Sequence, residues 1–117
     1  MIPKCKQLKY SAKEIDTGKK WIDDKKIYRK VINSTSFLAP NSTVEIPHKI
    51  SNLKEIIKAD LVVTYANEFY PGPVSYDDTS KIAIINKINS TSIVIRSGNE
   101  SWGDSTFNII LEYTKNE

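Results

Sequence analysis

The side chains of this chain that can do acid–base chemistry are few, and their spacing favours structural roles. Asp23-Asp24 and Asp77-Asp78 are adjacent acidic pairs. Neighbouring side chains in a strand or turn diverge, whereas the two carboxylates of a glycosidase face each other across a cleft. Aspartate also tolerates the backbone angles of tight turns, so both pairs are interpreted as turn residues. We therefore expect no catalytic residue, and we expect that the protein is not an enzyme.

The single histidine and the single cysteine leave little room for other chemistry. His48 follows Pro47, and no nucleophile-elbow motif surrounds any serine, so His48 is expected to be a surface or capping residue rather than part of a triad. His48 and Cys5 cannot form a zinc site by themselves, and Cys5 has no partner for an internal disulfide. No known calcium loop matches the spacing of Asp60, Asp77, Asp78 and Asp104. We expect no metal and no cofactor.

Aromatic residues in two polar stretches suggest carbohydrate binding. Phe69, Tyr70 and Tyr76 lie in the first stretch, and Trp102 lies in the second. Tyr and Trp combine a flat apolar ring with a polar group, which suits contact with a sugar, and loops on a rigid scaffold carry many binding sites. Tyr70, Tyr76 and Trp102 are therefore the candidate glycan-binding residues. The alternative is that these rings pack in the core or in a subunit interface.

The charge pattern narrows the classes of partner. The formal net charge is +3, and the lysines concentrated in the first thirty residues alternate with acidic residues. This indicates a solvated surface of mixed charge, and the alternative is attraction to an anionic surface such as teichoic acid. We expect no nucleic-acid partner, because no recognised nucleic-acid module accompanies the basic residues. No apolar run is long enough to span a membrane, and the N-terminus lacks the apolar core of a signal peptide, so we expect cytoplasmic synthesis.

The scaffold for these residues is predicted to be mainly β, with an irregular arm at 1–18 and a single domain at 19–117. A hairpin is expected at 19–32, turning at Asp23-Asp24. Further strands are predicted from alternating or β-branched residues at 43–46, 61–66, 81–88, 91–96 and 105–114. Polar, proline- or glycine-containing loops are predicted at 33–42, 67–80 and 97–104.

Residues 51–58 are the one predicted helix. Ile50, Leu53, Ile56 and Ile57 fall at helical spacing, and Asn52 with Glu55 matches part of a capping box. Short strands separated by turn signals, together with one short helix, predict an antiparallel β-sandwich or a jelly-roll-like fold.

Four strings in this sequence resemble a pattern found near the C-termini of phage tail, fibre and baseplate-associated proteins of Gram-positive hosts. The string WIDDKKIYRK at 21–30 is similar to the usual W-I-D-G-K-P-I-Y-R-K, with Asp24 in place of glycine and Lys26 in place of proline. The strings NST at 41–43, HKISNL at 48–53 and IILEYTK at 109–115 follow in the expected order. The resemblance covers about residues 19–115.

This resemblance implies a structural module of the virion, of β-sandwich type, displayed at a tail or fibre tip. It implies a homotrimer that contacts other virion proteins and, through its tip, host-surface polysaccharide. Trp21, Tyr28 and Tyr113 of the motifs are interpreted as packing residues. The expected function is host-surface attachment. The alternative is a purely structural fibre cap or capsid-decoration protein without receptor binding.

Overall fold

The fold is described here from a computed structural model that covers residues 10–71, 74–76, 81–98 and 102–116, with the backbone alone for 74–76 and 81–82. This described part contains nine β-strands and no helix. The strands are β1 (Ile15–Lys20), β2 (Lys26–Leu38), β3 (Thr43–Pro47), β4 (Leu53–Tyr65), β5 (Glu68–Pro71), β6 (Val74–Tyr76), β7 (Lys81–Ile88), β8 (Ser92–Ser97) and β9 (Gly103–Lys115).

The strands form two sheets. Sheet 1 has the order β1-β2-β9-β4-β5, and sheet 2 has the order β3-β8-β7-β6. The pairs β1–β2, β3–β8, β4–β5, β6–β7 and β7–β8 are antiparallel. The prediction of a mainly antiparallel β-sandwich is therefore confirmed.

The chain divides into two compact units. Unit 1 consists of Met1–Ile32, Ser51–Asp60 and Ile109–Glu117, and unit 2 consists of Asn33–Ile50 and Leu61–Asn108. Unit 1 therefore holds β1 and portions of β2, β4 and β9, all of which belong to sheet 1. Unit 2 holds all of sheet 2 together with β5 and the remaining portions of β2, β4 and β9.

The core of unit 2 is formed by apolar side chains of both sheets. Val63 and Phe107 of sheet 1 and Ile93 and Ile95 of sheet 2 are fully buried. β8 is buried over most of its length because it lies between β3 and β7. The alternation expected for the last strand is present. Ser105 and Phe107 are buried, whereas Thr106 and Asn108 are half-exposed.

The predicted helix at 51–58 is wrong, because this segment forms a turn and the first part of β4. Asn52 has a φ of 57°, which belongs to a turn and not to a helix cap. The β-branched pair Ile56-Ile57 suits a strand, and the backbone N–H of Asn116 donates to the carbonyl of Asn52 at 2.7 Å. Pairing with the end of the chain therefore prevails over the helical spacing of four apolar residues.

Two of the predicted loops contain strands. The predicted loop 33–42 is strand as far as Leu38. Its polar composition suggested a loop, but Asn33 and Thr35 are exposed residues of a strand, and Ser34 and Ser36 between and after them are half-buried. Within the predicted loop 67–80, β5 pairs with β4 through a turn at Ala66 and Asn67, which have φ values of 53° and 65°. Positive φ at both central residues defines a type I′ hairpin turn, and the usual Asn-Gly signal for it is missing.

The remaining expectations agree with the structure more closely. The hairpin at 19–32 is present, and Asp24 takes the left-handed conformation with a φ of 71°. The predicted strands at 43–46, 61–66, 81–88, 91–96 and 105–114 correspond to β3, the second half of β4, β7, β8 and β9. Residues 15–18 of the predicted arm belong to β1, which begins at Ile15. The described residues contain no helix that is long and apolar enough to cross a membrane.

Candidate functional site

Trp102, one of the three candidate glycan-binding residues, is a core residue of unit 2. Its side chain is 0% exposed. The ring of Tyr65 packs edge-on against the Trp102 ring, with centroids 5.6 Å apart. The backbone N–H of Trp102 donates to the carbonyl of Leu38 at 3.0 Å. The sequence-based assignment of Trp102 as a glycan contact therefore needs correction, because a sugar has no access to a fully buried ring.

Tyr70 belongs to the same aromatic cluster and is half-buried at its edge. Its ring lies 5.4 Å from that of Trp102, at an interplanar angle of 66°, and its hydroxyl donates to Oε1 of Glu68 at 2.8 Å. Edge-to-face packing of this kind stabilises an aromatic cluster. Tyr76 lies in β6 opposite Lys81, and its side chain is outside the described residues, as are Asp77 and Asp78. The location of Tyr70 and Trp102 agrees with the packing alternative.

The sequence strings 21–30 and 109–115 lie against each other in unit 1. Tyr28 stacks on Tyr113 with ring centroids 6.1 Å apart and an interplanar angle of 26°. The neighbouring Arg29 donates from Nε to Oε2 of Glu112 at 3.1 Å. Lys115 places its Nζ atom 5.3 Å from the centre of the Tyr28 ring. We refer to these five side chains together as the motif cluster. Because adjacent residues of a strand point to opposite faces, Tyr28, Tyr113 and Lys115 lie on one face of sheet 1, and the Arg29–Glu112 pair lies on the other.

Glu14 connects to the motif cluster from the N-terminal side. The buried hydroxyl of Tyr113 donates to Oε1 of Glu14 at 2.6 Å, and Nζ of Lys115 donates to Oε2 at 2.9 Å. Burial, and then the bond to the Glu14 carboxylate, raise the pKa of Tyr113 well above its ordinary value. The tyrosine is therefore held neutral as a hydrogen-bond donor, which is a structural role.

A shallow depression in unit 1, of about 430 Å³, borders the motif cluster. Its lining consists of Asp23, Asp24, Lys25, Lys26, Tyr28 and Lys115. Nζ of Lys54 lies 2.5 Å from Oδ2 of Asp23, and this hydrogen bond lowers the pKa of that carboxyl, with a second contribution from the Lys25 backbone N–H. Since both signs of charge alternate around the depression, it does not select an anion or a cation by charge alone.

His48 differs from the expectation of a surface residue, because its side chain is only 1% exposed. Its Nδ1 accepts a hydrogen bond from the backbone N–H of Ile50 at 3.1 Å. The neutral ring then carries its proton on Nε2, which lies 2.8 Å from the carbonyl oxygen of Asn89 and donates to it. Both ring nitrogens thus hold backbone groups of unit 2 in place, and neither is positioned for catalysis.

No group of three His, Cys, Asp or Glu side chains that could hold a metal ion occurs within 10–71, 74–76, 81–98 and 102–116. The acidic pair Asp23-Asp24 forms the β1–β2 turn as expected, with the backbone N–H of Asp24 donating to the carbonyl of Trp21 at 2.8 Å. This pair therefore has the predicted turn role.

Sequence reasoning missed a second surface, which is the side of sheet 1 in unit 2 that faces away from the core. Residues 33, 35 and 37 of β2 are exposed, and Leu38 is buried. Nδ2 of Asn33 donates to Oδ1 of Asn108, and the hydroxyls of Thr35 and Thr106 are 3.1 Å apart. This outer face includes Asn33, Thr35, Phe37, Thr64, Phe69, Asp104, Thr106 and Asn108. The period-two pattern N-x-T-x-F at 33–37 is the signal that would have revealed it.

Comparison with protein-family models, with curated proteins and with solved structures finds no match to this chain.

Proposed function

We propose that this chain is a module of a phage-type virion, located at a tail or fibre tip, that acts in attachment to the host surface. The observation that carries the proposal is the motif cluster. Two strings of the sequence resemblance, 83 residues apart at Arg29 and Glu112, supply side chains that contact one another directly. The strands that carry these strings, β2 and β9, are neighbours in sheet 1.

The contacts of the motif cluster account for the residue types in the pattern. Tyr28 stacks on the aromatic ring of Tyr113, and Arg29 forms an ion pair with the carboxylate of Glu112. The Arg29–Glu112 pair is well shielded, with side chains 13% and 22% exposed, so its geometry is less subject to solvent competition than that of a surface pair. This supports the view that the pattern describes a fold of virion modules, and that this chain uses it.

Attachment is favoured over catalysis by the way the ionisable groups are used. Among the described residues, Glu14, His48 and Tyr113 are engaged in structural hydrogen bonds. The outer face, in contrast, presents exposed aromatic and polar side chains on a rigid sheet, which is suited to binding. We propose host-cell polysaccharide as the partner.

The proposal includes a homotrimer that docks on other virion proteins. Three copies of one weak site increase the apparent affinity for a repetitive cell surface through effective concentration, without any additional contact. Sedimentation velocity of the purified chain tests this part directly. A trimer is the expected species, and a monomer at all concentrations would contradict it.

Attachment is tested by incubating the fluorescently labelled chain with intact Gram-positive cells and measuring the bound fraction by flow cytometry. Heat-unfolded chain is the control for nonspecific adhesion. We expect saturable binding that the unlabelled folded chain competes away. A folded chain that ignores every strain of a broad Gram-positive panel would contradict attachment and would favour the alternative of a purely structural fibre cap or capsid-decoration protein.

A further inference from the structure

Two exposed phenylalanine rings lie on the outer face. Phe37 is 59% exposed and Phe69 is 73% exposed. Phe69 is paired with Thr64 in the β4–β5 register, and the adjacent Val63 is buried on the opposite side of the sheet. Since side chains alternate across a strand, Thr64 and Phe69 share the face that carries Phe37. The strand order places β2 and β5 three spacings apart, or about 14 Å.

The area between the two rings is polar and carries one carboxylate, because Asp104 is exposed and lies on the same side of β9 as Thr106 and Asn108. The Asn33–Asn108 and Thr35–Thr106 pairs form a ladder across β2 and β9. Each amide retains hydrogen-bonding capacity beyond the one bond that it makes, because an amide has two donors and one acceptor oxygen. The same register sets Phe37 opposite Asp104, so these pairs present fixed donors and acceptors beside the row of side chains that holds the ring of Phe37.

This arrangement is the reverse of a protein–protein interface. Such interfaces have an apolar and aromatic centre with a polar rim, whereas on this surface the polar side chains of Asp104 and Thr64 separate the two aromatic rings. A sugar chain matches it, because its rings offer apolar faces and its hydroxyls both donate and accept hydrogen bonds. None of the eight side chains of the outer face is cationic and Asp104 is anionic, so the polyphosphate of a teichoic acid finds no counter-charge among them.

We propose that the outer face binds a neutral polysaccharide, with Phe37 and Phe69 against sugar rings and the polar ladder bonded to sugar hydroxyls. This inference rests on the proposed function and specifies its ligand class and its site. It also moves the site from the buried Trp102 cluster to a surface that a polysaccharide can reach.

The test uses polysaccharide released from Gram-positive cell walls and separated by anion exchange into a neutral and an anionic fraction. Binding of the full chain to each fraction is measured by NMR with ¹⁵N-labelled protein, whose Asn side-chain amide signals report the ladder directly. We expect the neutral fraction to shift the Asn33 and Asn108 signals. We also expect the affinity to remain constant when ionic strength is raised about tenfold, since no ion pairs are involved.

Phe37→Ala and Phe69→Ala are the informative variants, and Ile22→Ala is the matched control, because Ile22 is an apolar side chain that is 91% exposed in unit 1. Each Phe variant should weaken binding about threefold to tenfold, the range expected for loss of one aromatic contact. The Ile22 variant should bind like the parent. The amide spectrum of each variant shows whether it is folded.

Each remaining outcome identifies what has failed. Binding of the anionic fraction alone, or undiminished binding by both Phe variants, would overturn the inference while leaving attachment intact. A Phe variant that breaks up the oligomer would show that the outer face is a subunit interface, which also overturns it. A parent chain that binds neither fraction nor cells would remove the proposed function itself.

Discussion

Replacing Trp102 by alanine separates a packing role from a ligand role. The indole is fully buried, lies edge-on to Tyr65 and Tyr70, and its backbone N–H bonds to Leu38. Removing a buried Trp side chain costs about 3–5 kcal/mol through lost apolar burial and the cavity left behind. Domains of this size are stabilised by only about 5–15 kcal/mol in total, so the loss is a large fraction of the stability.

The assay is urea unfolding followed by far-UV circular dichroism, at one fixed protein concentration so that oligomerisation does not shift the midpoint. We expect Trp102→Ala to lower the free energy of unfolding by about 3–5 kcal/mol with an unchanged m-value. Ile22→Ala is the control and should change it by less than about 0.5 kcal/mol. A loss below about 1 kcal/mol for Trp102→Ala would refute the core assignment and return Trp102 to the list of surface contacts.

Three further substitutions test the local arguments. Asp24→Gly should raise the free energy of unfolding by up to about 1 kcal/mol in the same urea titration, because glycine adopts a φ of 71° without strain. A decrease in the free energy of unfolding would contradict the turn assignment. Stability should fall as the pH rises above about 10, since Tyr113 ionises in the unfolded chain while the fold holds it neutral, and Tyr113→Phe should reduce that slope in pH-dependent unfolding. A slope equal to that of the parent would contradict this account. His48→Ala should lower the free energy of unfolding by about 2–4 kcal/mol, because it leaves the Asn89 carbonyl and the Ile50 N–H without their partner. A near-neutral effect in thermal unfolding would contradict the buried position of His48.

The elements that the sequence predicted well are those with a strong local signal. β9 was recognised because Phe107, Ile109, Leu111 and Tyr113 alternate with more polar residues, and the structure buries all four. The first hairpin was recognised because aspartate is one of the few residues that accept a positive φ. In both cases the local preference and the tertiary structure agree.

The elements that were missed depend on partners distant in sequence. Residues 33–37 have a loop-like composition, and they become a strand because Asn33 and Thr35 pair with residues of β9. The segment at 53–58 has helical spacing, and it becomes a strand because Asn52 bonds to Asn116. No local pattern encodes either pairing.

The candidate site was misplaced for a related reason. Trp102 follows a polar, glycine-containing stretch, and such stretches are usually exposed, yet Tyr65 and Tyr70 of the β4–β5 hairpin enclose its ring. Phe37 was passed over because its strand was not recognised. A period-two reading of 33–37 would have identified an exposed aromatic residue beside two polar ones.

The most direct test of host attachment is the binding of the labelled, folded chain to intact Gram-positive cells, compared with its Phe37→Ala and Ile22→Ala variants. We expect saturable binding by the parent and by the Ile22 variant, and binding weakened about threefold to tenfold for the Phe37 variant. A folded parent chain that shows no saturable binding to any strain of the panel would contradict the central claim.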